Sequence, residues 1–100
     1  MWFLCLRQAR IPRAQWTVTL DQHFVWMKRM HEEGTIIVSG PSADRKYGMY
    51  LNRASSKAEA EKIASGDPFT VAGHTGFELI EWEIHQIMGI GAFSAAGLGH

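Results

Sequence analysis

The stretch Leu20-Asp21-Gln22-His23-Phe24-Val25-Trp26-Met27-Lys28-Arg29-Met30-His31-Glu32-Glu33-Gly34-Thr35-Ile36-Ile37-Val38-Ser39-Gly40-Pro41 changes its hydrophobic period at Gly34. Before the glycine, Leu20, His23, Phe24, Met27, Met30 and His31 fall in one stripe about 120° wide when residues are placed at about 100° per step. Asp21, Lys28, Arg29, Glu32 and Glu33 lie on the opposite side, so the spacing predicts an amphipathic helix over residues 17–33. Gly34 then stands where a left-handed helix cap needs a residue without Cβ. After it, the β-branched run Thr35–Ser39 reads as a strand, and Gly40-Pro41 ends it because proline offers the ladder no donor.

Upstream, residues 2–7 form a short apolar run with Pro12 beyond it, a strand buried on both faces. Downstream, a loop with Asp44, Arg45 and Lys46 leads into Tyr47–Arg53, the second strand of a hairpin. Ser56-Lys57-Ala58-Glu59 has the capping-box pattern and opens a helix to about Ser65, with Gly66 closing it. Asp67 and Pro68 fit the N-cap and first position of another helical turn. From Phe77 to His85 the residues alternate, Glu78, Ile80, Trp82 and Ile84 on one face and Phe77, Leu79, Glu81, Glu83 and His85 on the other. The order is βαββαβ, an α+β ferredoxin-like arrangement with an antiparallel sheet and both helices on one of its faces. Strands 2–7 and 35–39 are apolar at both parities, which leaves the other sheet face greasy. Two such sheets pressed together would cover it, so a homodimer with a shared α/β barrel is expected, with higher oligomers left open.

One hundred residues with 46% hydrophobic and 20% charged side chains describe one folded domain and exclude a disordered segment. Ten basic and ten acidic residues cancel, so no bulk field draws in a polyanion, and no nucleic-acid partner is expected. Four Trp, five Phe and two Tyr are more aromatic surface than so short a chain readily buries alone. The single cysteine, Cys5, has no disulfide partner, which fits a cytoplasmic protein. The apolar opening of residues 1–6 is too short for a signal peptide or membrane span, and no membrane association is expected. Residues 1–85 make the domain; residues 86–100 are a glycine-rich extension whose apolar residues would pack on the domain, the partner subunit or a pocket mouth.

Several polar residues admit two readings. His23 at the stripe's edge is either a satisfied core histidine or a base, and Asp67 either a plain cap or a cap that also holds a histidine. Arg7, Arg10 and Arg13 are solvated or clamp a substrate carboxylate. Glu81, Glu83 and His85 form an ion-pair ladder with Arg7 or line a pocket. Trp16, Phe24, Trp26 and Met27 are core, interface or the walls of a site for a ring-shaped ligand. His74, in a Gly-His-Thr-Gly turn, reads as an exposed loop residue. His31 lies about 12 Å along the helix from His23 at roughly 1.5 Å per residue, so the two share no metal, and no metal motif occurs. Walker, GxGxxG and nucleophile-elbow patterns are absent, which removes nucleotide and acyl-transfer chemistry.

Asp21-Gln22-His23, His31-Glu32-Glu33-Gly34, Ser39-Gly40-Pro41, and Gly66-Asp67-Pro68-Phe69 with Val71-Ala72-Gly73 occur in this order within residues 1–85. Together they resemble the YCII-related family of the dimeric α/β-barrel superfamily. The resemblance implies a ferredoxin-like subunit, a dimer, and a pocket beside a paired His and Asp, which map onto His23 and Asp67. The family includes a dehydrochlorinase-type enzyme of aromatic breakdown, and the superfamily includes muconolactone isomerases and cofactor-free monooxygenases. A histidine held by a carboxylate has a fixed tautomer and a free nitrogen suited to moving a proton. The expectation is a cofactor-free isomerase or dehydrochlorinase-like lyase acting on a small cyclic or unsaturated organic acid, with His23 and Asp67 catalytic. Arg7, Trp16, Phe24, Met27, Pro41 and Phe69 are the expected substrate contacts. The alternatives are a non-catalytic small-molecule-binding or accessory dimer and a cofactor-independent oxygenase. The oxygenase gains if His23 enters a deep aromatic pocket without a carboxylate. The glycine-rich extension departs from the family pattern.

Overall fold

A computed structural model describes residues 1–17, 20–87 and 91–92. Four strands, β1 (Trp2–Ala9), β2 (Ile36–Pro41), β3 (Tyr47–Arg53) and β4 (Thr75–Glu81), form one antiparallel sheet in the order β2-β3-β1-β4. Helices α1 (Leu20–Glu32), α2 (Lys57–Ser65) and the single turn α3 (Pro68–Val71) complete the expected βαββαβ subunit. A 3-10 turn (Arg13–Gln15) leads toward α1, and β5 (Gln86–Ile87) pairs with β6 (Gly91–Ala92) outside the main sheet. Residues 88–90 and 93–100 of the C-terminal extension lie outside the described residues, so its expected packing does too.

The chain reversals follow from local chemistry. Gly34 has φ +73°, its N–H reaches His31 O and the Thr35 N–H reaches Met30 O, a Schellman ending that only glycine makes without a Cβ penalty. Ser56 Oγ accepts from Glu59 N at 3.1 Å as a capping box requires, but the Glu59 carboxylate returns to Ser55 N at 3.1 Å instead of to Ser56. Gly66 ends α2 with an ordinary right-handed φ of −84°, so it is no left-handed cap. Its lack of Cβ is used in packing: a methyl there would stand 3.3 Å from Ile63 O and 3.6 Å from Trp26 Nε1.

Two strand boundaries correct the sequence reading. β2 runs through Pro41 instead of stopping before it, because β2 is an edge strand and its proline needs no outward partner. β4 ends at Glu81, leaving Glu83 and His85 as an exposed pair 3.5 Å apart. The expected ladder of Glu81, Glu83 and His85 with Arg7 therefore does not form: Arg7 sits opposite Phe77 and turns to a different carboxylate.

Phe3 and Cys5 of β1 face the helices and meet Ala60, Ile63 and Ala64 of α2 and Trp26, Met27 and Met30 of α1. Trp2, on the opposite face, packs with Leu51, Ile37 and Ile84, so residues just past β4 fold over part of that face. Val38 and Ile80 remain 57% and 43% exposed there. On α1 the buried side is His23, Trp26, Met27 and Met30, rotated from the expected stripe. Leu20 and Phe24 are 44% and 59% exposed, because that edge of the helix borders a cavity instead of the sheet. His31 is also exposed, and its Nε2 meets Ser39 Oγ at 2.8 Å.

Candidate active site

Asp67 is the centre of the buried polar group. Its side chain is fully buried; Oδ1 accepts from Phe69 N at 3.1 Å, capping α3, and lies 2.9 Å from His23 Nδ1. Oδ2 accepts from Arg7 Nη1 at 2.7 Å. The two readings of this residue are thus both met by one carboxylate, since its second lone pairs remain available after capping. Burial alone would raise the Asp67 pKa, but the hydrogen bond from His23 and the adjacent Arg7 charge outweigh it and hold the carboxyl below its ordinary value.

His23 reaches this point from the first turns of α1, and its ring lies flat against Phe69 with centroids 4.5 Å apart. With Nδ1 engaged by Asp67, Nε2 is the nitrogen left to exchange a proton; it lies 3.5 Å from Arg7 Nη1. A guanidinium only donates, so the neutral form that satisfies both neighbours carries its hydrogen on Nδ1 and its lone pair on Nε2. Arg7, on a central strand, is nearly buried and stacks toward the Tyr50 ring at 5.8 Å. Its room comes from Gly48 on β3: a Cβ at that position would stand 2.6 Å from Arg7 Nη2. A larger residue at 48 would require the Arg7 guanidinium to shift from its present place beside Asp67.

These groups border a cavity of about 490 Å3, within the range of small-molecule sites. His23, Arg7, Trp16, Phe24, Met27, Pro41 and Phe69 all line it, while Asp67 stands behind them. The geometry also places on its wall Arg13, weighed from sequence as a carboxylate clamp, together with Arg45, Lys46 and Gly48, which were not singled out as contacts. Gly48 left one usable sign, a glycine inside a strand pattern, which often marks close approach of another group. Trp26, the remaining aromatic of that group, is core. His74 corrects the sequence reading: it is buried, not an exposed loop residue, because its Nε2 lies 3.3 Å from Thr17 Oγ1 and its ring packs beside Trp16. Arg10 lies over Gly76, apart from the cavity wall. Among the described residues no cluster of His, Cys, Asp and Glu has metal-binding geometry, and no helix is long and apolar enough to cross a membrane.

A ferredoxin-like subunit with a nearly buried His and Arg on a cavity wall and a buried Asp behind them defines a class, and the sequence agrees. The chain belongs to the YCII-related domain family, which it matches over residues 1–83. It is 29% identical over 64 residues to the uncharacterized protein YjpA of Bacillus subtilis (strain 168), covering 64% of this chain and 75% of that protein. Its structure is similar, with a TM-score of 0.65 and 25% identity, to a 5-chloro-2-hydroxyhydroquinone dehydrochlorinase from Burkholderia phenoliruptrix AC1100 solved with 2,5-dihydroxybenzoquinone. That similarity covers 82% of this chain and 93% of the dehydrochlorinase.

Proposed function

We propose that the protein is a cofactor-free proton-transfer enzyme, an isomerase or dehydrochlorinase-like lyase acting on a small cyclic or unsaturated organic acid. The observation that carries this reading is the 2.9 Å contact between His23 Nδ1 and the buried Asp67 at the edge of the cavity. His23 Nε2 gives up its long 3.5 Å contact with Arg7 Nη1 to take a proton from the substrate, and the released electron pair moves into the substrate's conjugated system. In a lyase it expels chloride; in an isomerase the proton returns at another carbon. Asp67 is a positioning residue that fixes the ring and stabilises the imidazolium, as a carboxylate does for other histidine bases. His23 and Arg7 together keep Asp67 ionised, and the Arg7 guanidinium on the cavity wall is a donor for negative charge that develops on the substrate. The flat walls of Trp16, Phe24 and Phe69 suit a ring, and the similar dehydrochlorinase supports the lyase branch. The oxygenase alternative gained from a His23 without a carboxylate, and the contact with Asp67 withholds that support.

The test is chloride release from 5-chloro-2-hydroxyhydroquinone, run beside solvent-deuterium exchange into muconolactone. Either reaction above the uncatalysed rate is the expected result; neither reaction in a folded protein that binds both compounds leaves the non-catalytic alternative. We also propose a homodimer through the sheet face that keeps Val38 and Ile80 exposed. Sedimentation equilibrium is expected to give twice the chain mass, and Val38→Glu to halve it; a monomeric native chain would overturn the dimer.

A further inference from the structure

We propose that Arg13, Arg45 and Lys46 form an anion-binding subsite at the cavity rim, which seats an anionic oxygen group, a carboxylate or ionised enol, of a planar ring whose other edge meets His23. The inference rests on the small-acid reading above and assigns the part of the site that holds the acid.

The chain is neutral overall, yet the cavity wall is not. Arg7, Arg13, Arg45 and Lys46 line it, and among its described lining residues there is no Asp or Glu. Arg7 is answered by Asp67, but Arg13, Arg45 and Lys46 take part in none of the ion pairs among the described residues. The nearest carboxylate along the chain, Asp44, is turned to the hairpin itself: its Oδ1 accepts from Ser42 Oγ at 2.7 Å and from Lys46 N at 3.0 Å, and it does not line the cavity. Uncompensated cations beside apolar walls focus a positive potential into the cavity.

The backbone adds a second observation. Arg45 has φ +64°, in the left-handed region where glycine or asparagine is the unstrained choice, and it is the one non-glycine residue so placed among those described. The turn is fixed by Arg45 N donating to Ser42 O at 2.9 Å and Tyr47 N to Ser42 Oγ at 3.0 Å. An arginine at a position where glycine would relax the turn places a guanidinium on the cavity wall, where it can meet an anion. Arg13 lines the same cavity and lies over the Trp16 ring, 5.4 Å from the centroid.

The experiment measures calorimetric affinities of benzoate, the isosteric neutral benzamide and 2,5-dihydroxybenzoquinone for the native chain, Arg45→Gln/Lys46→Gln, Arg45→Lys and Arg45→Gly. Benzoate is expected to bind about tenfold tighter than benzamide, and the preference to fall below about threefold in the double variant and at high salt. Arg45→Lys keeps most of it, whereas Arg45→Gly loses affinity for the anions while raising the melting temperature. Loss of benzoate affinity in the double variant supports the subsite, and a parallel loss for 2,5-dihydroxybenzoquinone shows that it also takes an ionised enol. A native chain that binds benzoate no better than benzamide, or not at all, overturns the proposal, as does a double variant that keeps its preference. Binding needs no proton transfer, so an inactive protein with the preference sinks only the enzyme reading, and an active one without it sinks only the subsite.

Discussion

Asp67→Asn is expected to lower the unfolding free energy by about 3–5 kcal/mol, read from the urea midpoint at neutral pH. Asparagine still caps α3, so the cap itself changes little. What is lost is the countercharge of Arg7, 8% exposed and 2.7 Å from Oδ2, which is left buried beside a neutral amide. A loss within about 0.5 kcal/mol, the scale of an ordinary surface change, would show that the pair carries no stability. The native protein adds an independent reading through pH. The folded carboxyl binds its proton less readily than the unfolded one, since His23 and Arg7 outweigh burial. Its contribution is therefore fully present above the ordinary value of 3.8 and disappears as pH falls from there through the lower folded value. That acid limb is expected to flatten in Asp67→Asn.

His23→Gln is expected to reduce kcat on 5-chloro-2-hydroxyhydroquinone or muconolactone by about 10²–10⁴-fold, the usual contribution of a positioned acid or base. Benzoate affinity should change far less, because the rim cations are untouched. A variant that retains full kcat would remove His23 from the chemistry. The two substitutions differ in kind: Asp67→Asn removes the countercharge of buried Arg7, whereas His23→Gln removes the reacting nitrogen and leaves the Arg7–Asp67 charge pair in place.

The fold was readable because three local rules agreed with the global one: the period change at Gly34, the Ser56 cap and the Asp67-Pro68 turn each fall where the structure puts an element end. The rotation of the α1 buried face was not readable. Periodicity finds an apolar stripe but cannot say which part of it meets a sheet and which a cavity, and here Trp26 goes inward while Phe24 lines the opening. His23 and Asp67 are 44 positions apart and meet only through the packing of α1 on α3, so the family resemblance and not their spacing paired them. Arg7 was ambiguous because a strand-end arginine looks the same whether solvated or buried. Its partner is 60 positions away, and its space is made by a glycine on a third element.

The sheet order separates the cavity into two parts that can change independently. Arg7 stands on a central strand and Asp67 at a helix cap, both locked into the folding core, whereas Arg45 and Lys46 ride on the turn between β2 and β3, at the sheet's edge. Residues 43–46 lie outside the strands and take part in no buried ion pair among the described residues, whereas Ser42 ties the turn to Tyr47. Under the proposed function, a lineage could trade residues 43–46 for others and offer the same interior a different ligand, which makes this hairpin tip a natural unit for engineering.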